Sequence, residues 1–250
     1  MKRGQGAGPH GAAMRALIAS LVLALLPAAP AAAEPVTYEV TVEEWTETGA
    51  SRFVSPALAH AERSAVAAYG PFRVLDESTA ALVGVTDEDS PAAFRTMLRD
   101  YPGLVTLAFV ECPGTYDDRA NLALGRLIRA AGLAAWVPAG GSVRSGAVEL
   151  VLAGASLKID DGAEFAVHAW EDEDGYEASD YAADSPENGK YLAYYREMGM
   201  SAEQAAAFYA MTNSVSFEEA RWLSGAEMRA WVGGAGAPRL AYLDLGPDLN

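Results

Sequence analysis

At 250 residues, with 34 acidic side chains against 18 basic ones and a formal net charge of −16, the chain repels phosphate backbones and anionic lipid, so a nucleic-acid partner is not expected. Its single cysteine, Cys112, rules out an intrachain disulfide, and with only three histidines a Cys/His metal site is not expected either.

The first 33 residues read as a secretory signal. Lys2, Arg3 and Arg15 form a positive n-region, residues 16–26 a short apolar run, and Ala31, Ala32 and Ala33 a small-residue cleavage site before Glu34. The run falls short of the roughly 20 residues a membrane span needs, although an uncleaved anchor is the alternative. Without this segment the net charge moves to −19, because it carries three cations and no anions. The rest is expected to be one domain over 34–232 and a flexible tail over 233–250, with no later segment apolar for long enough to cross a bilayer. The implied location is periplasmic or secreted, with no membrane association after signal removal.

Residues 36–42 (VTYEVTV) alternate and predict a strand. Residues 51–69 are Ala-rich and predict a partly helical segment; 72–75 and 80–85 predict a strand pair. Ser90 caps a predicted helix with Pro91 at its first position, running to Asp100. A buried-type strand is predicted at 104–110, a helix at 117–131 ended by Gly132, and a second buried strand at 133–137. Next comes the small-residue turn 140–146 (GGSVRSG), then an apolar helix at 147–153 and strands at 156–159 and 164–168. Strands and helices alternating in this way predict an α/β fold with largely parallel pairing. Residues 171–187 predict an acidic surface loop. Helices follow at 187–198 and 201–211, the second opening with the capping-box pair Ser201 and Gln204. Short helices are predicted at 218–222 and 226–232.

Three places could carry chemistry. Ser145 follows a strand and a glycine-bearing turn at the start of an apolar helix, where unpaired backbone N–H groups, Gly146's among them, can serve an oxyanion. The alternative is a plain capping serine. His168 ends a strand, and imidazole is the side-chain base suited to neutral pH. His60, the other histidine of the mature chain, has no nucleophile-like surroundings and reads as structural or exposed. The turn Cys112-Pro113-Gly114-Thr115 can aim backbone N–H groups at an anion, while Cys112 itself reads as a buried thiol. Glu111, Asp117, Asp118 and residues 171–174 lack the spacing of a calcium loop, so no metal is expected.

The order of these pieces resembles the Clp protease proteolytic subunit and its exported bacterial relatives. The matching residues are Cys112-Pro113-Gly114-Thr115, then 127–133 (LIRAAGL), Ser145-Gly146-Ala147, and Phe165-Ala166-Val167-His168. The resemblance implies a Clp/crotonase-like spiral of ββα units around a largely parallel core sheet. It implies a serine hydrolase without a cofactor, with Ser145 as nucleophile, His168 as base, and oxyanion donors from Gly146 and the Gly114/Thr115 turn. Peptides or small esters are the implied substrates, and a homo-oligomer is compatible with the family. Thr115 stands where that family has a second glycine. The stretch Met211-Thr212-Asn213-Ser214 lacks the family's third, acidic residue; Asn213 could orient the imidazole, as could Thr212, Asp117 or Asp118. The acidic loop after His168 would disfavour anionic substrates. The rival reading is a catalytically degenerate Clp-like binding or scaffold protein of the envelope. An acyl-thioester ligand on a crotonase-like fold is disfavoured by export and by the scarcity of basic residues.

Overall fold

The computed structural model describes residues 56–233; the signal segment, the strand expected at 36–42 and residues 234–250 lie outside the described residues. The chain runs α1 (Pro56–Ser64), β1 (Ala67–Tyr69), β2 (Phe72–Val74), β3 (Thr79–Leu82), α2 (Ser90–Asp100), β4 (Thr106–Phe109), β5 (Glu111–Cys112) and α3 (Asp118–Ala131). It continues through β6 (Ala134–Val137), β7 (Ser142–Arg144), α4 (Ala147–Leu152), β8 (Ser156–Ile159), β9 (Glu164–Val167), α5 (Pro186–Glu197), α6 (Ala202–Thr212), β10 (Arg221–Ser224) and α7 (Gly225–Val232).

These elements repeat a ββα unit. In β4–β5–α3 and again in β6–β7–α4, the first strand joins a six-stranded sheet ordered β1-β2-β3-β4-β6-β8. The second strand joins a four-stranded sheet ordered β10-β9-β7-β5. β8 and β9 add the strands of a further turn, and β3–α2 is a reduced one in which the parallel bridge Thr86–Thr115 stands in for the second strand. Pairing is parallel through β3, β4, β6 and β8 and through β5, β7 and β9. The antiparallel pairs are β1–β2, β2–β3 and β9–β10. The implied α/β spiral with a largely parallel sheet is therefore the observed architecture.

The driving force is legible strand by strand. All four residues of β4 (Thr-Leu-Ala-Phe) are buried, as a strand covered on both faces requires. Helix α3 turns Leu122, Leu124 and Ile128 inward, is capped by Asp117 accepting from the Ala120 N–H (2.8 Å), and stops at Gly132 with φ 70°. Gly125 on its inner face makes room for α5: a Cβ there would lie 1.9 Å from the Tyr194 hydroxyl. Among the described residues no helix is long and apolar enough to cross a membrane.

The segment expected to be helical in part over 51–69 holds α1 and, at 67–69, strand β1 paired with β2. Three local expectations change. Ser90 is not the cap of α2: its N–H donates to Asp87 Oδ1 (3.0 Å), and Asp89 holds the cap position. The turn 140–146 contains strand β7, because its backbone continues the ladder between β5 and β9. Residues 221–224 form strand β10 where a helix was expected over 218–222. The edge of β9 needs hydrogen-bond partners, and Leu223 is the one residue of β10 that turns inward.

Candidate active site

The site stands where three neighbouring parallel strands end. In the order β9, β7, β5, their last residues are followed by His168, by Ser145 and by the Pro113-Gly114-Thr115 turn. Arg144 pairs with Ala166, and the Ser145 N–H donates to the Ala166 carbonyl at 2.9 Å, so β7 stays in register up to the serine. The chain must then swing into α4. Ser145 makes that turn with φ 50°, the sole non-glycine residue with positive φ among the described residues. Such a conformation costs an L-residue about 1–2 kcal/mol and persists where the surroundings over-determine it. A strained strand-to-helix elbow holds a side chain out of its own helix and sheet, which suits a nucleophile.

The surroundings do over-determine it. Gly114, with φ 135°, packs so closely that a Cβ there would sit 3.0 Å from the Ser145 Cβ and 3.5 Å from its Oγ. A Cβ on Gly146 would lie 2.7 Å from Thr115 Cγ2. Asn121 of α3, 2% exposed, donates from Nδ2 to the Gly146 carbonyl (2.6 Å) and accepts from Thr86 Oγ1 (3.0 Å). Thr86 in turn donates from its N–H to the Gly114 carbonyl at 3.0 Å. The elbow and the Pro-Gly turn are thus tied through one buried pair, which the sequence reading did not single out. Thr115 spends its hydroxyl within the turn, donating to the Thr86 carbonyl (3.2 Å). None of the turn and loop backbone hydrogen bonds uses the N–H of Gly114, Thr115 or Gly146.

His168 is half-buried. Its Nδ1 lies 2.7 Å from the Ala169 carbonyl, and a carbonyl can only accept, so Nδ1 carries the hydrogen and Nε2 holds the lone pair of the neutral ring. The Ala169 N–H, bonded to the Val215 carbonyl at 2.9 Å, fixes that carbonyl's peptide neighbourhood. Phe217 packs edge-on to the imidazole at 5.0 Å. Among the described residues Ser145 Oγ and His168 Nε2 form no hydrogen bond with each other. Ser145 and His168 line one pocket, which Asp118, Gly146, Glu149, Trp170, Tyr191, Tyr195, Tyr209, Thr212 and Asn213 also line.

The residues weighed as a third member fall in different places. Asn213 lines the pocket; its Nδ2 donates to the Tyr209 carbonyl (2.8 Å) and Thr212 Oγ1 (3.1 Å), and its buried Oδ1 has no partner. Thr212 donates to the Tyr209 carbonyl (3.0 Å). Asp117 is engaged as the α3 cap, and Asp118 accepts from the Tyr191 hydroxyl. The group bonded to the imidazole is the main-chain carbonyl of Ala169. Glu111 forms an ion pair with Arg144 (2.7 Å). Cys112 is fully buried and donates to the Leu82 carbonyl, and burial pushes its thiol up, so it is not a nucleophile at this site. His60 lies exposed on α1. Among the described residues no group of three or more His, Cys, Asp or Glu could hold a metal ion.

The pocket's inner wall escaped the sequence reading. Glu149, on α4 one turn beyond Ser145, is buried, and its Oε1 accepts from the Tyr195 hydroxyl at 2.7 Å. Burial is the main cause that pushes its carboxyl up to about 7, with the nearby Asp118 acting in the same direction. The i to i+4 spacing from Ser145 was the one available signal, and a Glu inside the otherwise apolar run AVELVL the other.

The ββα spiral thus brings a serine and a histidine to the ends of adjacent parallel strands. No family model matches the chain, and no curated protein matches it. Among solved structures the chain is similar to a 1510-N membrane-bound stomatin-specific protease in complex with a substrate peptide. The identity is 13% and the TM-score 0.40, over 63% of this chain and 74% of that one. A second structure of a 1510-N membrane-bound stomatin-specific protease has 15% identity and a TM-score of 0.38, over 60% and 75%. ClpP1 from Listeria monocytogenes has 15% identity and a TM-score of 0.43, over 62% of this chain and 88% of that one.

Proposed function

We propose that this chain is an exported serine hydrolase that cleaves peptides by acyl transfer, with Ser145 as nucleophile and His168 as general base. The observation that carries the reading is the Ser145 elbow: a strained, non-glycine turn whose side chain faces a pocket shared with an imidazole whose Nε2 is free to accept. His168 Nε2 takes the Ser145 Oγ proton as Oγ attacks the substrate carbonyl carbon. The N–H groups of Gly146 and of the Gly114/Thr115 turn receive the oxyanion. The imidazolium returns its proton to the departing amine as the C–N bond breaks. Water, deprotonated by the same Nε2, then attacks the acyl carbon, and the imidazolium returns that proton to Ser145 Oγ as the C–Oγ bond breaks and the carboxylic acid leaves. The Ala169 carbonyl holds the ring in the productive tautomer, a task for which Asn213 and the two aspartates are the side-chain alternatives. No step calls for a cofactor. The pattern of residues 1–33 supports export, and cell fractionation with N-terminal sequencing, expected to begin at Glu34, checks it.

The absence of a Ser145–His168 hydrogen bond favours the rival reading of a binding or scaffold protein; in an unliganded site such bonds also stand open and close on substrate. Peptide-library turnover separates the two. Cleavage that disappears in Ser145→Ala and in His168→Ala supports the hydrolase, and binding of peptides without cleavage by the wild type supports the scaffold.

A further inference from the structure

The pocket beside Ser145 is lined by acceptors and by rings. Glu149, 8% exposed, and Asp118 bring two carboxyl groups to it, and neither has a cation beside it in the lining. The charge felt by Glu149 is that of Asp118, a like charge. Asn213 adds a buried Oδ1 with no hydrogen-bond partner. Each carboxyl accepts from one phenol, Glu149 from Tyr195 and Asp118 from Tyr191. Buried acceptors left in this state favour a donor-rich, positively charged guest.

The walls agree with this. Trp170 stacks on Tyr191 (5.9 Å, 24°), and Tyr191 on Tyr209 (5.9 Å, 26°). The rings are tied to one another, Trp170 Nε1 donating to the Tyr209 hydroxyl at 2.7 Å. Lys190 already sets its ammonium 5.3 Å from the Trp170 ring centre and 4.9 Å from that of Tyr191, so the faces of this stack accept a cation. Glu149 follows Ser145 by four residues and lines the same pocket, so a side chain whose carbonyl is at Ser145 can extend toward it.

Resting on the hydrolase reading, we propose that this is a specificity pocket for a basic side chain, lysine or arginine, at the scissile position of a peptide, with Glu149 and Asp118 as its acceptors. The aliphatic stem lies against the rings and the charged head reaches the carboxylates, as such side chains do where an apolar wall ends in a polar floor. A neutral side chain of the same length fills the space and leaves the acceptors unpaired, which is the stronger form of discrimination. The groups that face Glu149 are Asp118 from α3, Tyr191, Tyr194 and Tyr195 from α5, Tyr209 from α6 and His168 after β9. A cation in the pocket favours the ionised carboxyl, so the preference is read at pH 8.

The test is calorimetric binding of N-acetyl-lysine, N-acetyl-arginine and N-acetyl-norleucine N-methylamides to the Ser145→Ala protein, which cannot turn them over. At least about tenfold tighter binding of a basic probe than of norleucine is expected, falling to about twofold in a Ser145→Ala, Glu149→Gln double variant. The second variant keeps an acceptor for Tyr195, and its circular dichroism checks the fold. Equal binding of all three probes, no binding of any, or a preference that survives Glu149→Gln overturns the assignment. Fluorophosphonate labelling of the wild type is read alongside. Labelled protein without the preference overturns the pocket alone, and the preference in unlabelled protein supports the pocket while overturning the hydrolase.

Discussion

The two sides of the pocket are built on different principles. On one side the elbow at Ser145 and the turn at Gly114 meet through backbone geometry: positive φ angles, contacts a single methyl would break, and main-chain carbonyls clamped by Asn121 and Thr86. On the other side, α5 contributes Tyr191 and Tyr195, whose hydroxyls donate to carboxylates from α3 and α4, and α6 adds the ring of Tyr209. The first side can position atoms closely because it has little freedom. The second can select a guest because its groups are polar, enclosed and incompletely paired.

The largest effect is expected where the first side is tightest. Gly146→Ala places a methyl against Thr115 Cγ2 and displaces an oxyanion donor, so turnover should fall about 100-fold while thermal unfolding moves by a few degrees. Steady-state kinetics checks it, and a loss below threefold would mean that the elbow and the turn are not coupled as described.

The second side should report through pH. Glu149 goes from the ordinary carboxyl value of 4.5 to about 7 on folding, so the folded state holds more protons between those limits. Stability attributable to this group is full below pH 4.5 and is lost as pH rises through 7, a change of about 3 kcal/mol. Urea unfolding at pH 5 and pH 8 should show that decline in the wild type and a flatter profile in Glu149→Gln. Identical profiles would place the carboxyl in water.

Asn121→Ala comes next. It leaves Thr86 without its side-chain acceptor and the Gly146 carbonyl without a donor, so a loss of about 1–3 kcal/mol is expected in the same assay, with slower labelling of Ser145. Stability lost without an effect on labelling would reduce Asn121 to a packing role. Phe217→Ala removes an edge contact with the imidazole and should lower turnover a few-fold, with a loss of stability of no more than about 0.5–1.5 kcal/mol.

This contrast also explains what the sequence could tell. Ser145, Gly146, Gly114 and Thr115 sit at short-range turn signals, where glycine and a strand-to-helix transition mark the backbone directly. His168 was legible from a strand end. The alternation of strands and helices conveyed an α/β fold with largely parallel pairing, and the resemblance added the spiral of ββα units. Tyr191, Tyr195, Tyr209 and Glu149 carried no such mark: they belong to α4, α5 and α6 and converge only once those helices pack. Tyr-rich α5 reads equally well as an ordinary core helix. Strand β10 was misread for a related reason, since its state is set by the open edge of β9 rather than by residues 221–224 themselves. Asn213 was chosen because it lies in the stretch that the resemblance matches to the third, acidic residue, and sequence could not reveal that a main-chain carbonyl already engages His168.

The central claim is that Ser145 is an activated nucleophile, and the most direct measurement is intact-mass and peptide mapping of the protein after a fluorophosphonate probe. The account predicts one adduct per chain, mapped to Ser145 and absent from folded His168→Ala. Folded wild type that stays unmodified while a control hydrolase reacts, or an adduct on any other residue, would contradict it.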